Sequence, residues 1–136
     1  MKGKLMRTVL ALLCGTLCLP ACAEIVLVVS PKSALASITQ EQAAQLYLGT
    51  ATNMTPLDKA EASLLRAEFY KKVTNKEPAQ VRAIWAKLVF TGKGRMPREL
   101  AGNEEVKKAV AADPNAIGYI DKSAVDASVK VVLSVP

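Results

Sequence analysis

The chain has 136 residues, 51% of them hydrophobic, with three cysteines and no histidine. Ser-His-Asp and Cys-His catalysis are therefore excluded, and because every cysteine precedes residue 23, no disulfide and no strong zinc ligand is available after it. Three of the 18 basic residues and none of the 12 acidic ones lie before Glu24, so the net charge of +6 falls to +3 for residues 24–136, which does not favour nucleic-acid binding. The length predicts one small domain, and the missing histidine and cysteine favour a domain that is not an enzyme and holds no metal or cofactor.

Residues 1–23 have the layout of a secretory signal peptide. Lys2, Lys4 and Arg7 give a basic start, residues 9–19 form an apolar run, and Ala21-Cys22-Ala23 is a small-residue cleavage pattern. The apolar run is shorter than the roughly 20 residues that cross a bilayer. We predict a signal peptide over 1–23 and an exported, periplasmic domain over 24–136.

An alternative processing route stays open at the end of this segment. Leu19-Pro20-Ala21-Cys22 resembles the lipobox of bacterial lipoproteins, in which the cysteine is acylated. Cleavage after Ala23 is favoured because proline fits the lipobox poorly. Membrane attachment is predicted only if Cys22 is lipidated.

The exported part begins with a predicted strand. Residues 24–30 are a continuous apolar, β-branched run stopped by Pro31, which is typical of a strand buried on both faces in a helix-covered parallel sheet. Thr39 and Gln42 match a capping box that begins the first helix, and Gly49 ends it.

Two further helices are predicted after an irregular stretch over 50–61 that holds at most a short extended piece around 54–57. Ser63 caps the first of them. Pro78 suits the first turn of the second, whose apolar residues repeat at helical spacing until Gly92.

The last third of the chain is predicted to hold a basic loop, one helix and two strands. The loop carries Lys93, Arg95 and Arg98, and Asn103 is predicted to cap the fourth helix. Strands are predicted over 116–120 and 129–135. Strands at both ends with helices between them indicate an α/β domain of about four helices around a short mixed sheet.

Hydroxyl side chains lie near two of the predicted helix starts. Ser30 and Ser33 follow the first strand, and Ser63 begins a helix with Arg66 one turn later. Free N–H groups and hydroxyls at a helix start form a ready anion site. We predict an anion site made of these four residues, with Lys59 as an accessory charge; the alternative is that the serines only cap turns and helices.

The order of several motifs resembles short proteins related to the periplasmic phosphate-binding component of phosphate ABC transporters, in the type 2 periplasmic-binding superfamily. The resemblance rests on the strand 25–29, Leu46-Tyr47-Leu48-Gly49, the stretch 65–73, Trp85, Gly92-Lys93-Gly94 and Asn115-Ala116-Ile117-Gly118-Tyr119-Ile120. It implies one lobe of that fold, a phosphate-like oxyanion held by hydroxyls and helix N-termini, and an ABC transporter or envelope receptor as partner. The segment 57–63 stands where the family carries an arginine and a Gly-Ser-Gly-Thr run, and Ser63 is its matching residue.

Two functional hypotheses follow. The first is an exported solute-binding protein for phosphate or a related oxyanion, linked to ABC transport. Under this hypothesis, Asp58 and Glu61 would repel the anion unless Lys59 or Arg66 offsets their charge. The alternative is an interaction or sensory adaptor module of the cell envelope that kept the fold, lost the ligand and docks through its basic loop.

Overall fold

The computed structural model describes residues 24–136. The predicted signal peptide and Cys22 lie outside these residues, so both remain predictions. Within residues 24–136, every helix is too short or too polar to cross a bilayer.

Besides a short 3-10 helix over Lys122–Ala124, residues 24–136 form five strands and four helices. In order they are β1 (Ile25–Val29), α1 (Gln40–Tyr47), β2 (Thr55–Lys59), α2 (Leu64–Thr74), α3 (Pro78–Phe90), β3 (Arg98–Leu100), α4 (Asn103–Ala112), β4 (Ala116–Asp121) and β5 (Lys130–Val135). The strands form one sheet in the order β3-β2-β4-β1-β5. β2 runs parallel to β3 and β4, whereas β1 runs antiparallel to β4 and β5. The sheet is mixed, as predicted.

β1 shows both a confirmed and a wrong prediction. All five of its residues are buried, which confirms a strand covered on both faces. Its neighbours are antiparallel rather than parallel, however. Burial on both faces produces the same continuous apolar run in either direction, so the run cannot specify strand polarity.

The irregular stretch and the basic loop each contain a strand: the first overlaps the short extended piece predicted around 54–57, whereas the second was not predicted. β2 occupies residues 55–59 and pairs with β3, which begins at Arg98 inside the predicted loop. β2 contains Pro56 and ends with the buried polar pair Asp58 and Lys59, so it has no apolar alternation. β3 is three residues long and buries only Leu100, too little to form a pattern.

Most predicted helix boundaries are confirmed by their caps. Thr39 and Gln42 form the capping box of α1, Ser63 caps α2, and Pro78 begins α3. The prediction that Asn103 caps α4 is wrong, because Gly102 is the N-cap and Asn103 is the first helical residue. The Asn103 side chain instead accepts hydrogen bonds from outside its helix.

The helices cover the two faces of the sheet unequally. One face packs against α1, α2 and α3 in a cluster rich in aromatic residues; the other packs against α4 alone through a smaller aliphatic cluster. Alternate residues of β1 enter the two clusters, with Ile25 and Leu27 in the first and Val26 and Val28 in the second. The sheet is thus the middle of three layers, and β1 and β4 lie in its interior.

Close approach of α4 to β4 depends on Gly118. A Cβ added at this position would lie 2.5 Å from Val106 Cγ1 and 3.3 Å from Val110 Cγ2. We expect Gly118→Ala to lower the free energy of unfolding by about 1–3 kcal/mol, because overpacking forces the helix away from the sheet. Urea denaturation checks this. In the Gly118→Ala/Val106→Ala double variant the cost should be smaller than the sum of the single costs, and full additivity would contradict the steric explanation.

Candidate functional site

An open pocket lies where the three parallel strands end. β2 ends at Lys59, β3 leads into Gly102 and Asn103, and β4 ends at Asp121. The pocket has a volume of about 420 Å³ and is lined by Lys59, Ser63, Leu64, Leu65, Glu68, Ala101, Gly102, Asn103 and Asp121. The carboxyl ends of parallel strands are the usual ligand position in open α/β sheets.

Lys59 brings a positive charge to this pocket. Its side chain is buried, and Nζ donates a hydrogen bond to Oδ1 of Asn103. Burial lowers the pKa of Lys59, while the charges of Asp121 and Glu105 act in the opposite direction. An ammonium group has three N–H donors, so Lys59 can donate to a ligand as well as to Asn103.

Two helix N-termini border the same pocket. Ser63 begins α2, and its Oγ accepts a hydrogen bond from the N–H of Arg66 at 3.4 Å. Gly102 begins α4 and offers no side chain to cap it. Helix N-termini carry unsatisfied N–H groups and a partial positive charge, which favours an anion between them.

The pocket also contains two carboxylates, Glu68 and Asp121. The backbone N–H and hydroxyl of Ser123 donate to Oδ1 of Asp121 at 2.9 and 2.8 Å and lower its pKa, so this carboxylate is ionised near neutral pH. Carboxylates repel a fully ionised anion but accept hydrogen bonds from a protonated one.

Behind the pocket lies a buried network centred on Asp58. The hydroxyls of Tyr119 and Tyr70 each donate to this carboxylate at 2.5 Å, one to Oδ1 and one to Oδ2. Burial raises the pKa of both tyrosines, and the charge of Asp58 raises it further. Both hydroxyls therefore stay protonated as donors.

Arg66 belongs to this network and not to the pocket lining. Its Nε lies 3.4 Å from Oδ2 of Asp58, close enough for charge attraction although not aligned as a hydrogen bond. Its Nη1 donates to Glu99 Oε1 at 3.4 Å. Because Arg66 is buried, its charge requires a buried counter-charge, which Asp58 supplies. Glu61 is likewise paired, with Arg82, so both acids expected to repel an anion are offset.

Ser30 and Ser33 lie at the opposite edge of the sheet. β1 ends opposite Ile117, near the start of β4, whereas Lys59 and Asp121 end their strands. The four residue steps from 117 to 121 span about 13 Å of extended strand. The two serines accept hydrogen bonds from the N–H groups of Lys32 and Leu35, so they stabilise the turn after β1. The five predicted residues therefore do not converge, because the antiparallel direction of β1 separates them.

The structure brings Lys59 and Ser63 together and adds residues that sequence reasoning missed. Asn103 and Asp121 reach the pocket from α4 and β4, and Glu68 reaches it from α2, one turn after Ser63. The available signal was positional, because Asp121 ends β4 and Asn103 begins the helix after β3. Asn103 could not be recognised from its position after a strand, because β3 was not predicted.

Residues 24–136 contain no group of three or more cysteine, histidine or acidic side chains placed to hold a metal ion. The polar groups that line the pocket at this edge of the sheet are ammonium, hydroxyl, amide and carboxylate.

Comparison with solved structures identifies the fold. A protein described as a phosphate ABC transporter substrate-binding protein from Clostridium perfringens, solved with bound phosphate, superimposes with a TM-score of 0.65 at 24% identity, over 81% of this chain and 45% of that one. An ABC-type phosphate transport receptor from Vibrio cholerae gives a TM-score of 0.66 at 20% identity, over 81% and 47%. PstS from Borrelia burgdorferi gives 0.61 at 17% identity, over 81% and 47%.

The chain shares the fold of these phosphate-transport binding proteins. It spans less than half the length of each of them. No protein-family model matches the sequence, and no curated protein gives a significant match. The predicted α/β, periplasmic-binding-like fold is confirmed.

Within this binding-protein fold, the pocket at Lys59 and Ser63 lies at the edge of the sheet where β2 and β3 pass into α2 and α4. The usual ligand position in an open α/β sheet and the polar lining of the pocket thus lie at the same edge of the sheet.

Proposed function

We propose that this chain is a non-catalytic, exported binding protein that takes a phosphate-like oxyanion in the pocket at Lys59. The observation that carries the proposal is the buried Lys59 ammonium group placed between the N-termini of α2 and α4. The predicted signal peptide and the shared fold support a role linked to ABC transport in the periplasm.

The pocket offers an oxyanion complementary donors on several sides. Lys59 has two N–H bonds beyond the one donated to Asn103, and the Ser63 hydroxyl can donate while it accepts from the α2 backbone. The first N–H groups of α2 and α4 add backbone donors. Such a donor set matches the several oxygens of a tetrahedral anion.

The two carboxylates favour a protonated oxyanion. Phosphate keeps a proton near neutral pH and sulfate does not. A P–OH group can therefore donate to Glu68 or Asp121, where sulfate would meet only repulsion. The pocket should prefer phosphate over sulfate.

The open pocket limits affinity. Solvent reaches the site, and the contribution of a solvent-exposed charge pair is roughly 0–1 kcal/mol. We therefore expect weak, salt-sensitive binding rather than tight capture.

Isothermal titration calorimetry at low salt tests the site. Lys59→Met should lower the association constant for phosphate by about tenfold or more, because it removes a charged donor. Ser63→Ala should lower it less, by about fivefold, since it removes an uncharged hydroxyl donor whose net contribution at this solvent-exposed site is about 1 kcal/mol.

Ser33→Ala is the matched control, because Ser33 also accepts a hydrogen bond from the backbone but lies at the other edge of the sheet. It should leave phosphate binding unchanged. Absence of heat with phosphate in the unmodified protein, or equal losses in the Ser33 and Ser63 variants, would refute the proposed site. Thermal unfolding of each variant confirms that the fold is kept.

A further inference from the structure

β2 and β4 pair with each other only where they begin. Their backbone register has two pairs, Thr55 with Ala116 and Pro56 with Ile117, and residues 24–136 show no further ladder pair between these strands. β2 then pairs with β3 on its other side as far as Lys59. β2 and β4 therefore separate towards the edge of the sheet that holds the anion pocket.

Side chains fill the space that opens between the two strands. The Tyr47 hydroxyl lies 2.8 Å from the carbonyl oxygen of Leu57 and 3.3 Å from that of Ile117. Two residues after Leu57, the backbone N–H of Lys59 donates to the Tyr119 hydroxyl at 3.3 Å. Buried backbone groups without a ladder partner need another one, and these hydroxyls supply it.

The Asn103 side chain closes this space at its pocket end. Its Oδ1 accepts a hydrogen bond from Nζ of Lys59, the last residue of β2. It also accepts one, at 3.4 Å, from the backbone N–H of Asp121, the last residue of β4. Both of these partner groups can only donate, so the carboxamide oxygen is the atom that faces them and the orientation of the amide is fixed.

The amide nitrogen of Asn103 is left available to a ligand. Within residues 24–136, the side-chain hydrogen bonds of Asn103 use Oδ1 and not Nδ2. Nδ2 is also not among the buried polar atoms without a partner, a group that in this part of the chain holds only Nε of Arg66. Nδ2 therefore reaches solvent, and Asn103 lines the anion pocket.

A structural role alone does not account for a carboxamide at this position. An aspartate would accept from Lys59 more strongly, because its oxygens are charged, and it would also favour the first turn of α4. It would, however, repel an anion in the pocket. Asparagine keeps the acceptor for Lys59 and adds a neutral donor, which is the combination that an oxyanion site requires.

We propose that Asn103 binds the oxyanion directly through Nδ2 while its Oδ1 holds the Lys59 ammonium group in position. This inference rests on the proposed phosphate-binding function. It adds to that function a neutral donor, and it identifies the residue that connects the separated ends of β2 and β4 at the pocket.

NMR titration with inorganic phosphate at constant ionic strength tests the direct donation. Asn103→Ala should lower the association constant about tenfold, since it removes a donor to the ligand and also releases Lys59. A double-mutant cycle separates the two effects. In the Lys59→Met background, Asn103→Ala should still lower the constant about fivefold, the effect of one neutral hydrogen bond. No further loss there would show that Asn103 acts only through Lys59 and would overturn the direct donation.

The pKa of Lys59, measured by carbon NMR of its Cε, tests the positioning without any ligand. Asn103→Ala removes an acceptor of the ammonium group and should lower this pKa, in the direction in which burial already moves it. Asn103→Asp keeps an acceptor and adds a negative charge to those of Asp121 and Glu105, so it should raise the pKa. Shifts in the same direction, or no shift, would overturn the positioning role.

Asn103→Asp should also weaken phosphate binding tenfold or more, because a carboxylate oxygen replaces the donor. Asn53→Ala and Asn53→Asp are the matched controls, since Asn53 is an exposed asparagine at the other edge of the sheet. Both should leave phosphate binding and the Lys59 pKa unchanged. Circular dichroism shows whether each variant keeps the fold.

The outcomes separate this inference from the proposed function. Phosphate binding that is equal in the unmodified protein and in the Asn103 variants would overturn the inference and leave the proposed function standing. Absence of phosphate binding in the unmodified protein would refute the proposed function and the direct donation together. The pKa of Lys59 would then decide the positioning role by itself.

Discussion

Asp58→Ala is expected to lower the free energy of unfolding by about 3–5 kcal/mol, the largest effect of any single polar substitution in this domain. Asp58 is 2% exposed and accepts from Tyr70 and Tyr119 while it balances the charge of Arg66. Its removal leaves two buried hydroxyls without their acceptor, and it leaves Glu99, 47% exposed, as the remaining counter-charge of the buried Arg66. Urea denaturation followed by circular dichroism measures the loss.

A second substitution separates the charge contribution from the hydrogen bonds. Asp58→Ala/Arg66→Met removes the buried cation as well, so it should be more stable than Asp58→Ala alone. Tyr119→Phe removes one donor and should cost about 1–2 kcal/mol. If Asp58→Ala cost less than Tyr119→Phe, the central role of the carboxylate would be wrong.

Trp85→Ala should also cost about 3–5 kcal/mol, through loss of volume rather than charge. Trp85 is 6% exposed, its Nε1 donates to the carbonyl of Tyr47 at 2.8 Å, and its ring lies close beneath Gly49, whose φ is 76°. The side chain therefore fixes α3 against the end of α1. Truncation leaves a cavity there and an unpaired carbonyl.

Trp85→Phe is the matched control for this position. It keeps most of the apolar volume and loses the hydrogen bond, so a cost of about 1–2 kcal/mol is expected. Equal costs for the two variants, measured by circular dichroism during urea denaturation, would show that the hydrogen bond dominates instead of packing.

The sequence specified those elements whose signal is local. Thr39 with Gln42, Ser63 and Pro78 each determine a helix start through groups within one turn, and the structure confirms them. β1 was also evident, because five consecutive apolar residues have few alternatives to a buried strand.

Elements stabilised by distant partners were missed. Asp58 and Lys59 are polar, yet they are buried at the end of β2 because Arg66, Tyr119 and Asn103 satisfy them from other elements. A polar strand end of this kind has no periodicity that reveals it. β3 was missed for a similar reason, since its pairing with β2 alone defines it.

Only part of the candidate site was predicted, because some of its residues come together through partners that are distant in sequence. Ser63 and Lys59 lie close together in sequence, four residues apart, and both reach the pocket. Ser30 and Ser33 were grouped with them because hydroxyls near two helix starts can form an anion site. The polarity of β1, which depends on pairing with β4 and β5, placed them elsewhere.

The pairing of β1 has a consequence for how the chain is made. β1 lies between β4 and β5 in the sheet, opposite residues 117–121 and 130–135, which are far from it in sequence. Contacts of such sequence separation form slowly, and here they cannot form until residues 117–135 have been synthesised. A nascent or truncated chain that ends before Lys130 therefore presents β1 with an open hydrogen-bonding edge, which invites aggregation or capture by a chaperone.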